Sequence, residues 1–435
     1  MPTEAIDHTT SPSRRIAVVG AGITGMGAAH KLALSNHVTL FESAARLGGH
    51  ARTKMAGKNG DQPVDTGFIV FNYANYPHLA ALFAELDVPV KKSNMSFGAS
   101  FGAGRMEYAL TSLSAIFAQR RNALNPKFLS MLRDVVKFNK HALTLAQDKS
   151  LNLRDFLAKL GTGDYFRDHY LLPFSGAIWS TPKEKIMDFP AHALIQFFQN
   201  HALLGYSGQH QWYTVEGGSI SYVNRIEASM KQRGVDIRLS AAIEGVRRDA
   251  QGVEIKTRGG EWERFDEVVM ATHSDDTLAM LTDASAEEQA ALGAIKYQPN
   301  DVVLHADTTV MPKRKLAWAS WVYTEDAKVK SDRIDLTYWM NSLQSIPEND
   351  PHFVTLNTKR TIREELIYDR VTLRHPVYDL GAWDAQGKVH AMNGTRNTWF
   401  CGAWLRNGFH EDGLATAMEV VEAMQKSRMQ AMAAE

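Results

Sequence analysis

One cysteine, Cys401, stands in a chain of 435 residues. That excludes a disulfide framework and fits a reducing compartment. Cysteine pairs are lacking, and His169, His192, His201 and His210 show no repeated ligand spacing, so the sequence makes no case for a metal. Charge of one sign is lacking as well. The 48 Lys and Arg balance 48 Asp and Glu, which gives no global case for nucleic acid as a partner. Two targeting signals are imitated. Arg14-Arg15 before an apolar run resembles a twin-arginine signal, but that run belongs to the fold and could not be cleaved off. Ile16 to Leu34 has bilayer length, yet it carries glycines, His30 and Lys31. The expectation is a soluble, cytoplasmic protein, peripheral on the inner face of a membrane at most. Its length exceeds one typical core, so two domains or more are expected. Met1 to Ser13 is polar and reads as a disordered tail.

What is present is organised around Arg15-Ile16-Ala17-Val18-Val19-Gly20-Ala21-Gly22-Ile23-Thr24-Gly25. A β-branched strand runs into three glycines at G-x-G-x-x-G spacing and then into a helix. Gly20 permits the tight turn, Gly22 lets backbone approach a pyrophosphate, and Gly25 lets the helix pack on the strand. The helix start at Ala21, Ile23 and Thr24 offers free N–H groups and a positive dipole end to phosphates. A second strand, His37-Val38-Thr39-Leu40-Phe41, ends on Glu42-Ser43, which puts a carboxylate where an adenosine ribose needs one. Next comes Arg46-Leu47-Gly48-Gly49-His50-Ala51-Arg52, an element for which a nicotinamide dehydrogenase has no need.

With that element the chain resembles the FAD enzymes of the amine oxidase and phytoene desaturase superfamily, where the second glycine pair lies along the cofactor. The resemblance runs from about Arg15 to Met424. Asp65-Thr66-Gly67-Phe68, Met95-Ser96-Phe97, Thr337-Tyr338-Trp339-Met340-Asn341 and Phe400-Cys401-Gly402-Ala403-Trp404…Gly408-Phe409-His410-Glu411-Asp412-Gly413 narrow it further. They are similar to a subfamily of NAD/FAD-binding proteins associated with cyclopropane-fatty-acid-synthase-like methyltransferases. The resemblance implies an α/β fold, a Rossmann-like FAD-binding domain with a discontinuous α+β substrate domain made of an antiparallel sheet and a helical insertion. The boundaries expected are 14–75, 212–295 and 395–430 for the FAD domain, and 76–211 and 296–394 for the substrate domain. It further implies that Asp65, Thr66, Gly67 and Phe68 approach the flavin, that Val246 contacts adenine through its backbone, and that Ala271-Thr272-His273 closes over FAD, with His273 where a glycine is usual. Gly402, Ala403, Glu411, Asp412 and Gly413 would lie by the flavin, although Ala403-Trp404 replace an acidic residue often found there.

The pattern between these motifs fits that division. Tyr76 to Leu204 reads mostly helical. Leu79, Leu82, Phe83 and Leu86 follow Pro77 at helical spacing, and Leu129, Leu132, Val136 and Leu143 share one side of a second stretch. Leu171 to Ser180 contains Pro173 and Gly176 and reads as a break between helices. His192 to His201 is an aromatic-rich helix, open to a core or a cavity role. Val302–His305, Leu316–Tyr323, Ile334–Met340 and Phe353–Leu356 alternate as strands. Arg120, Arg121, Lys127, Arg133, Lys137 and Lys140 are either a solvated face or a surface for anionic lipid.

The chemistry implied is hydride transfer from a substrate C–H bond to the flavin, for which the protein needs to hold FAD, orient the substrate and exclude water. His410, Tyr338 and Tyr73 are the candidates near the flavin face. His410 leads, because its ordinary pKa suits proton transfer and it precedes a helix expected over Leu414–Met424. The resemblance favours a fatty acyl chain of a lipid as substrate. Two other readings stay open: a flavin amine oxidase, and a non-catalytic FAD-binding partner of a lipid methyltransferase.

Overall fold

The computed structural model describes residues 13–179, 183–205, 209–325 and 333–434. The expected tail therefore lies outside the described residues except for Ser13, and so does Ser180. Five parallel strands form the first sheet, in the order Asp236–Arg238, His37–Phe41, Arg15–Val19, Glu267–Met270, Thr398–Phe400. Its inner strands are short β-branched runs, buried on both faces, as a sheet covered by helices requires. Helix Ile23–Leu32 leaves the first strand through the glycine turn and packs on the C-terminal helix, His410–Ala434. The approach is close: a Cβ on Gly27 would meet Leu414 Cδ1 at 2.4 Å.

The second large sheet has seven strands in the order Ile367–Val377, Lys296–His305, Phe353–Leu356, Asp335–Trp339, Trp321–Glu325, Phe97–Phe101, Met106–Ala109. All pairs are antiparallel except Trp321–Glu325 with Phe97–Phe101. The expected sheet is thus larger and mixed. Three strands, Val90–Ser93, Phe97–Phe101 and Met106–Ala109, lie in the stretch that reads as helical. The last two are joined by a turn in which Gly102 and Gly104 take φ of +60° and +85°, a conformation glycine adopts at no steric cost. Leu316 and Ala317, expected as strand, fall in a short 3₁₀ turn, Lys315–Ala317.

Two helical expectations are corrected. Leu171–Trp179 does not break: a π segment, Arg167–Leu171, leads into helix Leu172–Trp179, and Pro173 is tolerated inside the run because the His169 carbonyl, four residues before it, accepts the Tyr108 hydroxyl at 2.6 Å. In helix Pro126–Leu145 the buried stripe is Phe128, Met131, Phe138 and Ala142, while Leu129 and Val136 are exposed. The larger aromatic side chains take the core, and buried Asp134 on the same stripe is satisfied by the Gly163 N–H at 2.9 Å. Among the described residues no helix is long and apolar enough to cross a membrane.

Candidate functional site

A cavity of about 1110 Å³ is lined by residues of both large sheets. At one end its wall is the glycine turn, Gly20 to Thr24, with Glu42, Ser43 and the segment Ala241–Ile243. The turn is fixed in layers. A Cβ on Gly25 would lie 1.7 Å from the Gly20 carbonyl oxygen, so the helix can approach the strand only with glycine there. Gly22, by contrast, has ordinary backbone angles, and a Cβ on it would meet nothing within 4 Å. Its Cα faces open cavity. Glu42 accepts the Ala21 N–H at 2.8 Å and the Ala44 N–H at 2.8 Å, which orients the carboxylate at the edge of the turn. The second glycine pair docks on the first: Gly48 N–H donates to the Ala21 carbonyl at 2.9 Å.

The middle of the cavity is lined by Gly49, His50, Thr66, Gly67, Phe68, Ala271, Gly402, Ala403 and His410, all expected at the site. Thr272 and His273, of the element expected to close over the cofactor, line it beside Ala271, and so do residues that sequence reasoning missed: Tyr297, Arg374, His375 and Trp404. Tyr297 and Arg374–His375 lie in parts of strands Lys296–His305 and Ile367–Val377 outside the segments expected as strand, so nothing local marks them. Trp404 replaces the acidic residue expected after Gly402 and donates its indole N–H to the Thr272 carbonyl at 3.0 Å, tying the two loops.

Several expected residues are placed elsewhere. Tyr73 is 53% exposed and packs edge-on against Phe71 and Tyr213, away from the cavity wall. Arg46 grips the glycine loop from outside, donating to the carbonyls of Leu47, Gly49 and Ala51 at 3.0, 2.7 and 3.1 Å. Arg52 pairs with Asp369. Asp65 is buried and accepts from Thr53, Ser219 and Gln344, so it ties loops together; burial raises its pKa to about 6. The Val246 carbonyl is taken by Thr282. Glu411 accepts the His78 and Leu79 N–H groups, both at 2.9 Å, and so caps helix Pro77–Glu85, whose own cap residue Tyr76 makes no side-chain bond. Asp412 accepts the Phe409 N–H at 2.9 Å and closes the start of its own helix. Gly413 packs on Thr24 rather than lining the cavity.

His410 is the first residue of the C-terminal helix, which begins earlier than the expected Leu414. Its ring stacks on Phe68 with centroids 4.0 Å apart, and its Nε2 lies 2.7 Å from the Tyr222 hydroxyl. Burial, with a smaller contribution from His50, pushes its pKa down to about 3, so the imidazole is neutral at pH 7. The expectation that its ordinary pKa fits it to shuttle protons is corrected. His273 and His375 are likewise lowered to about 3 by burial. His273, Asp275 and Asp276 each bring one ligand atom within 4.8 Å of the others, but both carboxylates are ion-paired to Arg374.

Beyond His410 the cavity turns apolar. Met95, Phe97, Phe174, Ile178, Trp179 and Phe197 form its walls, with Trp321 and Tyr338 from the sheet. The charged side chains that line the cavity among the described residues are Glu42, Asp276 and Arg374, none of them in this apolar group.

The sequence profile described as flavin containing amine oxidoreductase matches residues 23–356. The chain belongs to this family, and its cofactor is FAD. A coproporphyrinogen III oxidase from Mycobacterium leprae (strain TN) is 41% identical over 78 residues, 17% of this chain and 16% of that protein, so the match covers only a small part of either. A CLA-producing fatty acid isomerase from P. acnes has the same fold, with a TM-score of 0.68 at 16% identity over 95% of this chain and 99% of that one. Cyclohexylamine oxidase from Brevibacterium oxydans IH-35A gives 0.65 at 13% identity over 95% and 100%. The fold is therefore the amine-oxidase-like α/β fold expected. The residues fit FAD: the open face of Gly22 suits a diphosphate, and buried His50 Nε2 and His273 Nδ1 have no hydrogen-bond partner among the described residues.

Proposed function

We propose that the protein is an FAD-dependent oxidoreductase that takes hydride from a C–H bond of an aliphatic chain, a fatty acyl group of a lipid. The observation that carries this reading is the apolar half of the cavity, Met95, Phe97, Phe174, Ile178, Trp179 and Phe197. An alkyl chain gains by leaving water for such walls, at about 0.8 kcal/mol for each buried CH₂. A protonated amine would find no carboxylate among these residues to offset its desolvation. When bound, FAD supplies the hydride acceptor. The chain's own residues do the rest. The glycine turn and Glu42 hold the dinucleotide, the aromatic walls orient the substrate and exclude water, and Phe68 and Tyr222 fix His410, the residue favoured for contact with the reacting atoms. Tyr338 is a second lining candidate. On this reading 14–75, 212–295 and 395–430 act as the FAD domain, and the remainder of 76–394 as the substrate domain.

A lipid surface and a cyclopropane-synthase-like methyltransferase are the partners this reading favours. Arg120, Lys127 and Lys140 are exposed and make no ion pair among the described residues, and Leu124, 86% exposed, and Val136 lie among them in sequence. Cations interleaved with exposed apolar groups suit an anionic bilayer. Anaerobic mixing of the yellow protein with acyl lipids, followed by flavin absorbance, tests the activity. Bleaching by acyl lipids is expected. Bleaching by amines alone, with hydrogen peroxide formed on admitting air, would replace this reading with amine oxidation.

A further inference from the structure

His50 follows the second glycine pair directly, and its surroundings are tight on both sides. A Cβ on Gly49 would stand 3.0 Å from the Gly22 Cα. The His50 carbonyl accepts the Phe68 N–H at 2.9 Å, and a Cβ on Gly67 would fall 1.9 Å from that oxygen. The imidazole therefore lines the cavity between the dinucleotide turn and the Phe68–His410 stack. A dinucleotide laid from Glu42 toward His410 would bring its ribityl chain through this interval. That chain carries hydroxyls and no charge.

The two ring nitrogens of His50 are not equivalent. Nε2 is buried without a hydrogen-bond partner among the described residues, and the Arg374 backbone favours a proton on the ring, which places it on the other nitrogen, Nδ1. A neutral imidazole protonated on Nδ1 leaves Nε2 as an acceptor. Burial and the cations Arg46 and Arg374 disfavour a second proton. The rings of His375 and His273 stand 5.7 and 5.8 Å from that of His50. Each is held from behind: His375 Nδ1 lies 3.1 Å from the Asn300 amide nitrogen, and His273 stacks on Tyr297 at 4.3 Å. An amide nitrogen can only donate, so His375 keeps its own proton on Nε2.

We propose that His50 Nε2 accepts a hydrogen bond from a ribityl hydroxyl of bound FAD, and that His273 and His375 hold the His50 ring in the orientation this bond needs. The inference concerns the cofactor and does not depend on the identity of the substrate. It is tested on purified holoprotein by measuring FAD dissociation on dilution, read as recovery of free-flavin fluorescence. His50→Phe keeps a ring between His273 and His375 but has no acceptor, and should release FAD about tenfold more readily, the scale of one buried hydrogen bond. His50→Gln keeps an acceptor and should stay near wild type. A Phe variant within about twofold of wild type overturns the proposal, as does equal weakening by Phe and Gln. A further measurement needs no variant. FAD with a deoxygenated ribityl chain should displace bound FAD from the wild-type protein about tenfold less well than FAD does. Equal displacement would also overturn the proposal.

Discussion

At the scale of single residues the glycines separate ligand space from packing space. Gly22→Val should leave the fold intact, because its backbone angles suit any residue and its added atoms meet open cavity. It should nevertheless abolish FAD binding, since those atoms take the room a diphosphate needs. The protein should then purify colourless with an unchanged circular dichroism spectrum; a yellow Gly22→Val protein would contradict this use of the turn. Gly25→Val should instead fail to fold, with a Cβ 1.7 Å from the Gly20 carbonyl oxygen. The His410–Tyr222 pair invites a different test. His410→Ala should keep bound FAD and lose most turnover. Tyr222→Phe, which removes the hydroxyl 2.7 Å from Nε2, should show a smaller loss in the same direction. Unchanged steady-state rates in both would assign the pair to packing alone.

At the scale of elements, the C-terminal helix has a second task that its motif does not announce. Glu411, in its first turn, neutralises two orphan N–H groups of helix Pro77–Glu85 and joins the ends of two helices. Glu411→Ala should lower stability by about 1–2 kcal/mol, the scale of a lost cap, without altering the FAD-to-protein ratio. A changed flavin content at unchanged stability would return Glu411 to the cofactor. This case shows where the sequence was legible. The glycine turn, Glu42 and the second glycine pair could be read directly, because each is a local backbone requirement that only particular residues meet. Glu411 and Asp65 stand among those motifs but bond across the fold, and a partner at a distance leaves no local pattern; Asp412 and Arg46 instead hold backbone groups within five residues of themselves, a role their motifs share with ligand contact. The helix stripe of Pro126–Leu145 failed for a related reason: two apolar sets compete at helical spacing, and only tertiary packing favours Phe128, Met131 and Phe138 over Leu129 and Val136. His375 and Tyr297 were not legible at all: both lie outside the segments that alternate as strands, and alternation would in any case tell which residues share a face and not what that face encloses.

At the scale of the whole molecule, burial has set two groups of titratable side chains against each other. In the folded protein His273, His375 and His410 have pKa values of about 3, and His201 and His305 of about 4, against an ordinary 6.5. Burial is the leading cause in each. As pH falls below 6.5 the unfolded chain takes up protons on these rings and the folded chain does not, so stability falls with pH. The buried carboxylates work in the opposite direction. Asp65 and Asp412 are raised to about 6 and Glu411 to about 7, so the folded state takes up their protons first and gains stability as pH drops through those values. Between pH 6 and 5 the three carboxylates still bind more protons folded than unfolded, but five histidines bind more unfolded than folded, and the larger number prevails. Below pH 4.5 the low pKa of Glu85, about 2 where it meets Lys31, His30 and Arg233, adds to the loss. The net slope is toward acid instability. With FAD removed, the melting temperature should therefore fall between pH 7 and pH 5, by ~2 °C or more, a shift of about 1 kcal/mol being enough in a chain of this size. Scanning calorimetry in buffers of equal ionic strength measures it. A melting temperature that holds steady or rises toward pH 5 would mean that the cavity histidines are hydrated in the FAD-free protein, and that the carboxylates set its pH dependence.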